Sequence, residues 1–182
     1  MKKGIICVLL LAVLSLPAFA GRIVYTVDPA TASPQPATVI ASGNGEVKVI
    51  FNTSSIEAGQ VYTFTLNMTA KGDNVTYPVS AGFKEKGNKK ELAVAFEPAE
   101  VTFNDATTPV STVVTLTVPE GDYSSEKKLK TKFKADAAKG AHLGQSAGVK
   151  VTIAKTASAA EFMQVITDEL NEVELPEQVE TN

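Results

Sequence analysis

With one cysteine, one histidine, no tryptophan and a formal net charge of −3, this 182-residue chain lacks the material for several kinds of function. The cysteine, Cys7, lies in an apolar leader, so the rest of the chain has no thiolate for a disulfide, a metal or a nucleophile. A single histidine cannot build a multi-histidine metal centre, and stability has to come from burial in a core that a chain of this length can form.

Residues 1–20 have the three parts of a secretory signal peptide: Met1-Lys2-Lys3, an apolar run from Ile5 to Leu16, and Pro17-Ala18-Phe19-Ala20. Cleavage is expected after Ala20, which makes Gly21 the first residue of the mature chain. The apolar run is short of the roughly 20 residues that span a bilayer, and no transmembrane segment is expected after cleavage. The short basic start and the Ala-x-Ala end are bacterial in style and point to the periplasm, the cell surface or the medium. Residues 21–36 follow as a strand, Arg22 to Val27, and a tether punctuated by Pro29, Pro34 and Pro36. Such a strand either opens the chain's own sandwich or serves as an arm that completes the sheet of a neighbour.

Residues 37–157 alternate apolar and polar side chains with period two, the pattern of strands with one buried face. The clearest strands are Glu46 to Phe51, Val61 to Met68 and Val149 to Ile153. Further strands are predicted at Ala37 to Ala41, Tyr77 to Phe83, Leu92 to Phe96, Val110 to Val118 and Leu129 to Ala135. Turn residues separate them, among them Gly43-Asn44-Gly45, Ala58-Gly59, Gly72-Asp73-Asn74, Gly87-Asn88 and Pro119-Glu120-Gly121-Asp122. Eight or nine strands in one sheet would leave an apolar face uncovered, so two packed sheets are expected.

The stretch Phe96-Glu97-Pro98-Ala99-Glu100-Val101, then Thr112 to Pro119, Gly121-Asp122-Tyr123 and Lys132-Phe133-Lys134-Ala135, leads through glycines to Gly148-Val149-Lys150-Val151. It resembles the last strands of bacterial immunoglobulin-like and fibronectin-type-III-like modules. The resemblance implies an all-β, immunoglobulin-like antiparallel β-sandwich and places Tyr123 where those modules carry a tyrosine whose hydroxyl pins upstream backbone. The paired cysteines and core tryptophan of antibody domains are missing, and a fold of this kind specifies no activity.

Candidate sites are few. His142 stands alone in a glycine-rich loop, and Glu97 and Glu100, which flank Pro98, read as solvated strand-end charges with no aromatic platform for a sugar. Asp73-Asn74 and Asn104-Asp105 supply oxygen but no spaced calcium motif, and Asx residues are at home in turns. No catalytic residue, no cofactor and no metal ligand is therefore assigned, and the chain is read as a non-enzyme. The strongest charge feature is a row, Lys128, Lys130, Lys132 and Lys134, on one face of a strand whose other face carries Leu129, Thr131, Phe133 and Ala135. The row either marks an outward, protected face or holds a polyanionic surface polymer or phosphate-bearing lipid headgroups. Without interleaved arginines or aromatics it does not read as a nucleic-acid site. Lys84, Lys86, Lys89 and Lys90 around Gly87 read as a solvated hairpin tip.

Residues 158–182 are of another kind: seven acids and no base follow Ala160, whereas residues 21–160 hold fifteen basic and thirteen acidic residues. Ser158-Ala159-Ala160-Glu161 is a capping-box pattern, and Phe162, Ile166, Leu170 and Val173 recur at helical spacing until Pro176. A short C-terminal amphipathic helix is predicted from about Ala159 to Val173. Its apolar face would dock on the sandwich or another subunit, with its acids near residues 127–134. The whole reads as an exported structural or protein-interaction module of the cell surface or periplasm that binds protein partners or itself. The alternative is an exported binding module for a glycan or small molecule.

Overall fold

The computed structural model describes residues 21–41, 45–72, 74–86, 91–138, 143 and 147–172. The leader, Asp73, Lys89, Lys90, His142, Val173 and the remainder of the acidic tail lie outside the described residues. Among the described residues ten strands form two sheets: β1 Arg22–Val27, β2 Ala37–Ala41, β3 Val47–Thr53, β4 Val61–Lys71, β5 Val79–Lys86, β6 Ala93–Glu97, β7 Glu100–Phe103, β8 Val110–Thr117, β9 Lys128–Ala137 and β10 Val149–Lys155. One helix, α1 Ala159–Asn171, follows them. Among the described residues no helix is long and apolar enough to cross a membrane.

The four-stranded sheet runs β1-β4-β8-β6 and the six-stranded sheet β2-β3-β10-β9-β5-β7. Every ladder is antiparallel except β3–β10, where Val49 stands beside Val151 in a parallel pair. Alternation determines which face each strand buries: Tyr62, Phe64, Leu66, Met68 and Ala70 point from β4 into the core, while Thr63, Thr65, Asn67 and Thr69 point away from it. Between the sheets Phe51 meets Tyr62 edge-on at 5.1 Å, while at another place in the core Phe96 stacks on Phe83 at 4.2 Å and meets Phe133 edge-on at 5.0 Å. The phenylalanines of the two sheets thus serve the core, Phe83 and Phe96 at its partly buried margin.

Nine strands fall where the alternation places them. The tenth, β7, follows β6 after only Pro98 and Ala99, and its four residues are too few for alternation to stand out; pairing with β5 makes it a strand. β1 pairs with β4 along its whole length, from Arg22 opposite Lys71 to Val27 opposite Leu66, so it belongs to the chain's own sandwich. Its alternate residues Ile23, Tyr25 and Val27 are buried. The tether continues that edge, where Ser33 bridges to Thr63 and the Thr31 hydroxyl accepts the Thr65 N–H. Gly59 (φ 80°) makes the turn into β4, a conformation that a side chain resists.

Tyr77 and Tyr25 join parts of the fold by their hydroxyls, and Tyr123 does not take the role the resemblance implies. Its ring packs over Gly121, and the hydroxyl that reaches an upstream carbonyl is that of Tyr77, on Ala70 at 2.5 Å. Tyr25, from the four-stranded sheet, accepts the N–H of Ala135 in β9 at 2.9 Å and so links the sheets through the core. Replacing Tyr25 by Phe removes that acceptor and keeps the ring. The expected loss is about 1 kcal/mol, read in urea as a lower midpoint with an unchanged slope; an unchanged midpoint would show that the link is idle.

Candidate functional site

Nothing in the period-two pattern alone requires the outward face of the six-stranded sheet to be covered, yet its part over β3 and β10 is. β3 is buried on both faces, with Lys48 and Ile50 beneath the covering, and β10 contributes Thr152 and Ala154 to the same buried strip. The cover is α1. Ser158 caps it by accepting the Glu161 N–H at 3.2 Å, while the Glu161 carboxylate reaches the N–H of Ala157 instead of the cap's own, a shifted form of the expected box. The helix sets Phe162 (8 % exposed) and Glu169 (1 % exposed) against the sheet, two turns apart, with Val165 and Ile166 half-buried between them.

Glu169 is the centre of this contact. One carboxylate oxygen is 2.8 Å from the Lys130 ammonium and accepts the Thr152 hydroxyl at 3.2 Å; the other is 3.4 Å from Lys48 and 3.5 Å from Lys150. Lys48, itself buried, also donates to the Glu169 backbone carbonyl. That carbonyl is one of the last-turn acceptors a helix leaves unpaired at its negative end. Glu172, one turn on, holds Lys150 at 2.6 Å and Lys130 at 3.5 Å. The acids near the C-terminal end, unfavourable for a helix alone, are neutralised by lysines of the sheet. Burial by itself would raise the Glu169 carboxyl, but the hydrogen bond from Lys130 and the charges of Lys130, Lys150 and Lys48 bring it down to about 2. Burial works against the Lys150 ammonium too, yet Glu172 and Glu169 raise it overall. Glu172 is lowered, chiefly by its bond with Lys150.

The lysine row is divided. Lys130 serves α1, Lys132 pairs with Glu46, Lys134 stands opposite Lys84 of β5, and Lys128 is exposed at the start of β9. Of the helical residues expected to dock, Phe162 is buried, Ile166 is half-buried, and Val173 lies outside the described residues. Leu170 is 48 % exposed and does not belong to the buried stripe, nor does Met163 at 59 %. The stripe is turned toward Glu169 because a buried Lys48 needs a carboxylate more than Leu170 needs cover. Lys48, Lys150, Thr152 and Glu169 escaped the sequence reading. Their signal is there: Ile50 and Ala154 put apolar groups on the face that alternation assigns to water, and Glu169 interrupts an apolar stripe three residues after Ile166.

Other carboxylates do local work. Asp105 accepts the N–H groups of Thr108 and Thr107, each at 2.7 Å, and the Thr107 hydroxyl, which hold it well below the usual carboxylate range. Asp122 is lowered in the same way by Ser124. Glu97 ends β6 in one sheet and Glu100 opens β7 in the other, both exposed. Glu91, Glu120, Asp122 and Glu126 line an open cleft of about 550 Å³ beside Tyr123. Two of these four are engaged there with backbone, Glu91 accepting the Lys130 N–H at 2.6 Å and Asp122 the Ser124 N–H.

The fold and the site define a two-sheet β-sandwich with a salt-bridged helix covering part of one outer face. No family model matches the chain, and no curated protein matches it. Among solved structures it is similar to Cep-1, the C. elegans ortholog of p53, in work on p53 DNA-binding domains. The TM-score is 0.40 and the identity 7 %, over 85 % of this chain and 100 % of that one, too slight a likeness to carry an argument.

The pH dependence of docking follows from the lowered carboxyl. A group whose folded pKa is depressed stabilises the folded state above its ordinary pKa, and that stability is lost as pH falls. For Glu169 the window runs from its ordinary 4.5 down to about 2. Amide protection in residues 159–171, taken relative to the intrinsic exchange rate at each pH, is expected to hold from neutrality to about that upper value and to fall below it, before the core strands open. In Glu169→Gln the helix should exchange fast already at pH 7; equally slow exchange in both proteins at pH 7 would contradict the assignment.

Proposed function

We propose that the protein is an exported, non-catalytic structural or protein-interaction module built on an immunoglobulin-like sandwich. The strand order supports the fold assignment. If β1, β4, β5, β6, β8, β9 and β10 are lettered A to G in chain order, the four-stranded sheet reads A-B-E-D and the neighbours β10-β9-β5 read G-F-C, the arrangement of the seven-stranded immunoglobulin domain. On this reading β2 and β3 extend one sheet beyond G, and β7 extends it beyond C.

The observation that carries the functional reading is where the perturbed carboxylates lie. A catalytic carboxylate is shifted by its site and faces a cleft. Here Asp105 is lowered by its own turn, Asp122 at the rim of the cleft by its own turn at Ser124, and Glu169 and Glu172 by the lysines that fasten α1, so the cause of each perturbation is local structure or the helix contact. The two-sheet body, the helix docked on part of its outer face and the leader of residues 1–20 fit a module that works outside the cytoplasm by binding other proteins or copies of itself. Cell fractionation with mass spectrometry tests this: the mature chain is expected to begin at Gly21, to leave the cytoplasm, and to yield cross-links to protein. A cytoplasmic chain that retains Met1 would contradict export, and an exported chain that cross-links to no protein would contradict the interaction.

A further inference from the structure

The ladders of the six-stranded sheet bring lysines from four neighbouring strands into one row. Lys48 stands beside Lys150, Lys150 beside Lys132, and Lys132 beside Lys86. A second pair, Lys134 and Lys84, lies two residues along β9 and β5 on the same face. Like charges directly opposite one another on a sheet are destabilising. The helix relieves this at one end, where Glu169 and Glu172 sit on Lys48, Lys150 and Lys130.

The other end keeps its repulsion. Lys84, Lys86, Lys132 and Lys134 form a two-by-two platform, Lys84 and Lys86 exposed and Lys132 and Lys134 half-buried, its positions about 7 Å apart along the strands and about 5 Å across them. Glu46 bonds Lys132, and one step beyond the platform Asp136 and Glu100 stand on either side of Gly82. Among the described residues no ion pair joins Lys84, Lys86 or Lys134 to a carboxylate. Burial, then Lys134 and Lys132, lower the Lys86 ammonium against the opposing pull of Glu46, the direction expected where positive charge is in excess.

We infer that the platform of Lys84, Lys86, Lys132 and Lys134 binds an acidic peptide segment of a partner protein, whose carboxylates continue on the lysine row what Glu169 and Glu172 do at its other end. This rests on the protein-interaction reading and names the chemistry of the partner. The occupied half of the row shows which anion the face accepts: carboxylates one helical turn apart. A lysine ammonium takes such groups as a point charge. Nothing on the platform suits a nucleobase, since Phe83 is turned inward onto Phe96 and the chain's single arginine, Arg22, lies in the other sheet. A flat bilayer resting on this face would meet α1, which stands about 10 Å thick on the sheet and exposes Glu161 and Asp168.

The test is binding of poly-L-glutamate to the purified mature chain at low ionic strength. Polygalacturonate, duplex DNA and phosphatidylglycerol vesicles are the competing probes. Poly-L-glutamate is expected to bind and to be released by salt. The triple change Lys84→Gln, Lys86→Gln, Lys134→Gln should weaken binding by about tenfold or more without lowering the melting temperature, because it removes repulsion; Lys71→Gln in the other sheet should change nothing. Unchanged binding by the triple variant overturns the inference, as does tighter binding of any competing probe. If the full chain fails to bind and a chain ending at Glu172 binds, the platform's occupant is the protein's own tail and the partner assignment falls. Protein cross-links in the exported fraction alongside such failures would leave the interaction reading standing and remove only the platform.

Discussion

A lysine that is 2 % exposed cannot be left without a partner, and Lys48 is such a lysine. Removing an ammonium from water costs several kcal/mol unless a carboxylate and further hydrogen bonds replace the water. Glu169 supplies both, through its side chain and its backbone carbonyl. This requirement fixes which face α1 presents, makes β3 and β10 buried on both sides, and divides the lysines of β9 between the helix and the open sheet. The outer half of the fold follows from one charge that has to be neutralised away from water.

The inner half follows from a different and simpler cause. Alternating apolar residues on nine strands have to meet a second apolar face, and the aromatic contacts between the sheets show them doing so. That is why the sandwich was legible: each strand carries its own signal in a few consecutive residues. β7 was missed because four residues after Pro98-Ala99 carry too little alternation. The exchange of Tyr123 for Tyr77 as the tyrosine that grips upstream backbone depends on where a loop returns, which no local pattern records.

The site was legible in its parts but not in its assembly. Capping, helical period and the lysine row of β9 are all local, and each is found where the residues place it. Which lysines meet depends on register between strands distant in sequence: Lys48 and Lys150 are brought together only by the parallel β3–β10 ladder, and Lys84 meets Lys134 only through β5 and β9. Hydrophobic spacing alone turns Leu170 toward the sheet, whereas the buried ion pair of Glu169 outweighs one exposed leucine. The same electrostatics links the closed end of the lysine row to its open end, where repulsion without an internal acid gives the face a reason to bind.

The central claim is that the charge pair of Lys48 and Glu169, and not the apolar contact of Phe162 alone, holds the helix on the sheet. A double-mutant cycle of Lys48→Met and Glu169→Leu, read by amide exchange of residues 159–171 in the full-length protein, tests it most directly. Glu169→Leu alone leaves Lys48 buried without a carboxylate and should release the helix, while the double variant, with no buried charge to neutralise there, should dock it again. The expected coupling is about 2 kcal/mol or more. If the two changes are additive and the helix stays protected in Glu169→Leu, the pair does not hold it and the account is wrong.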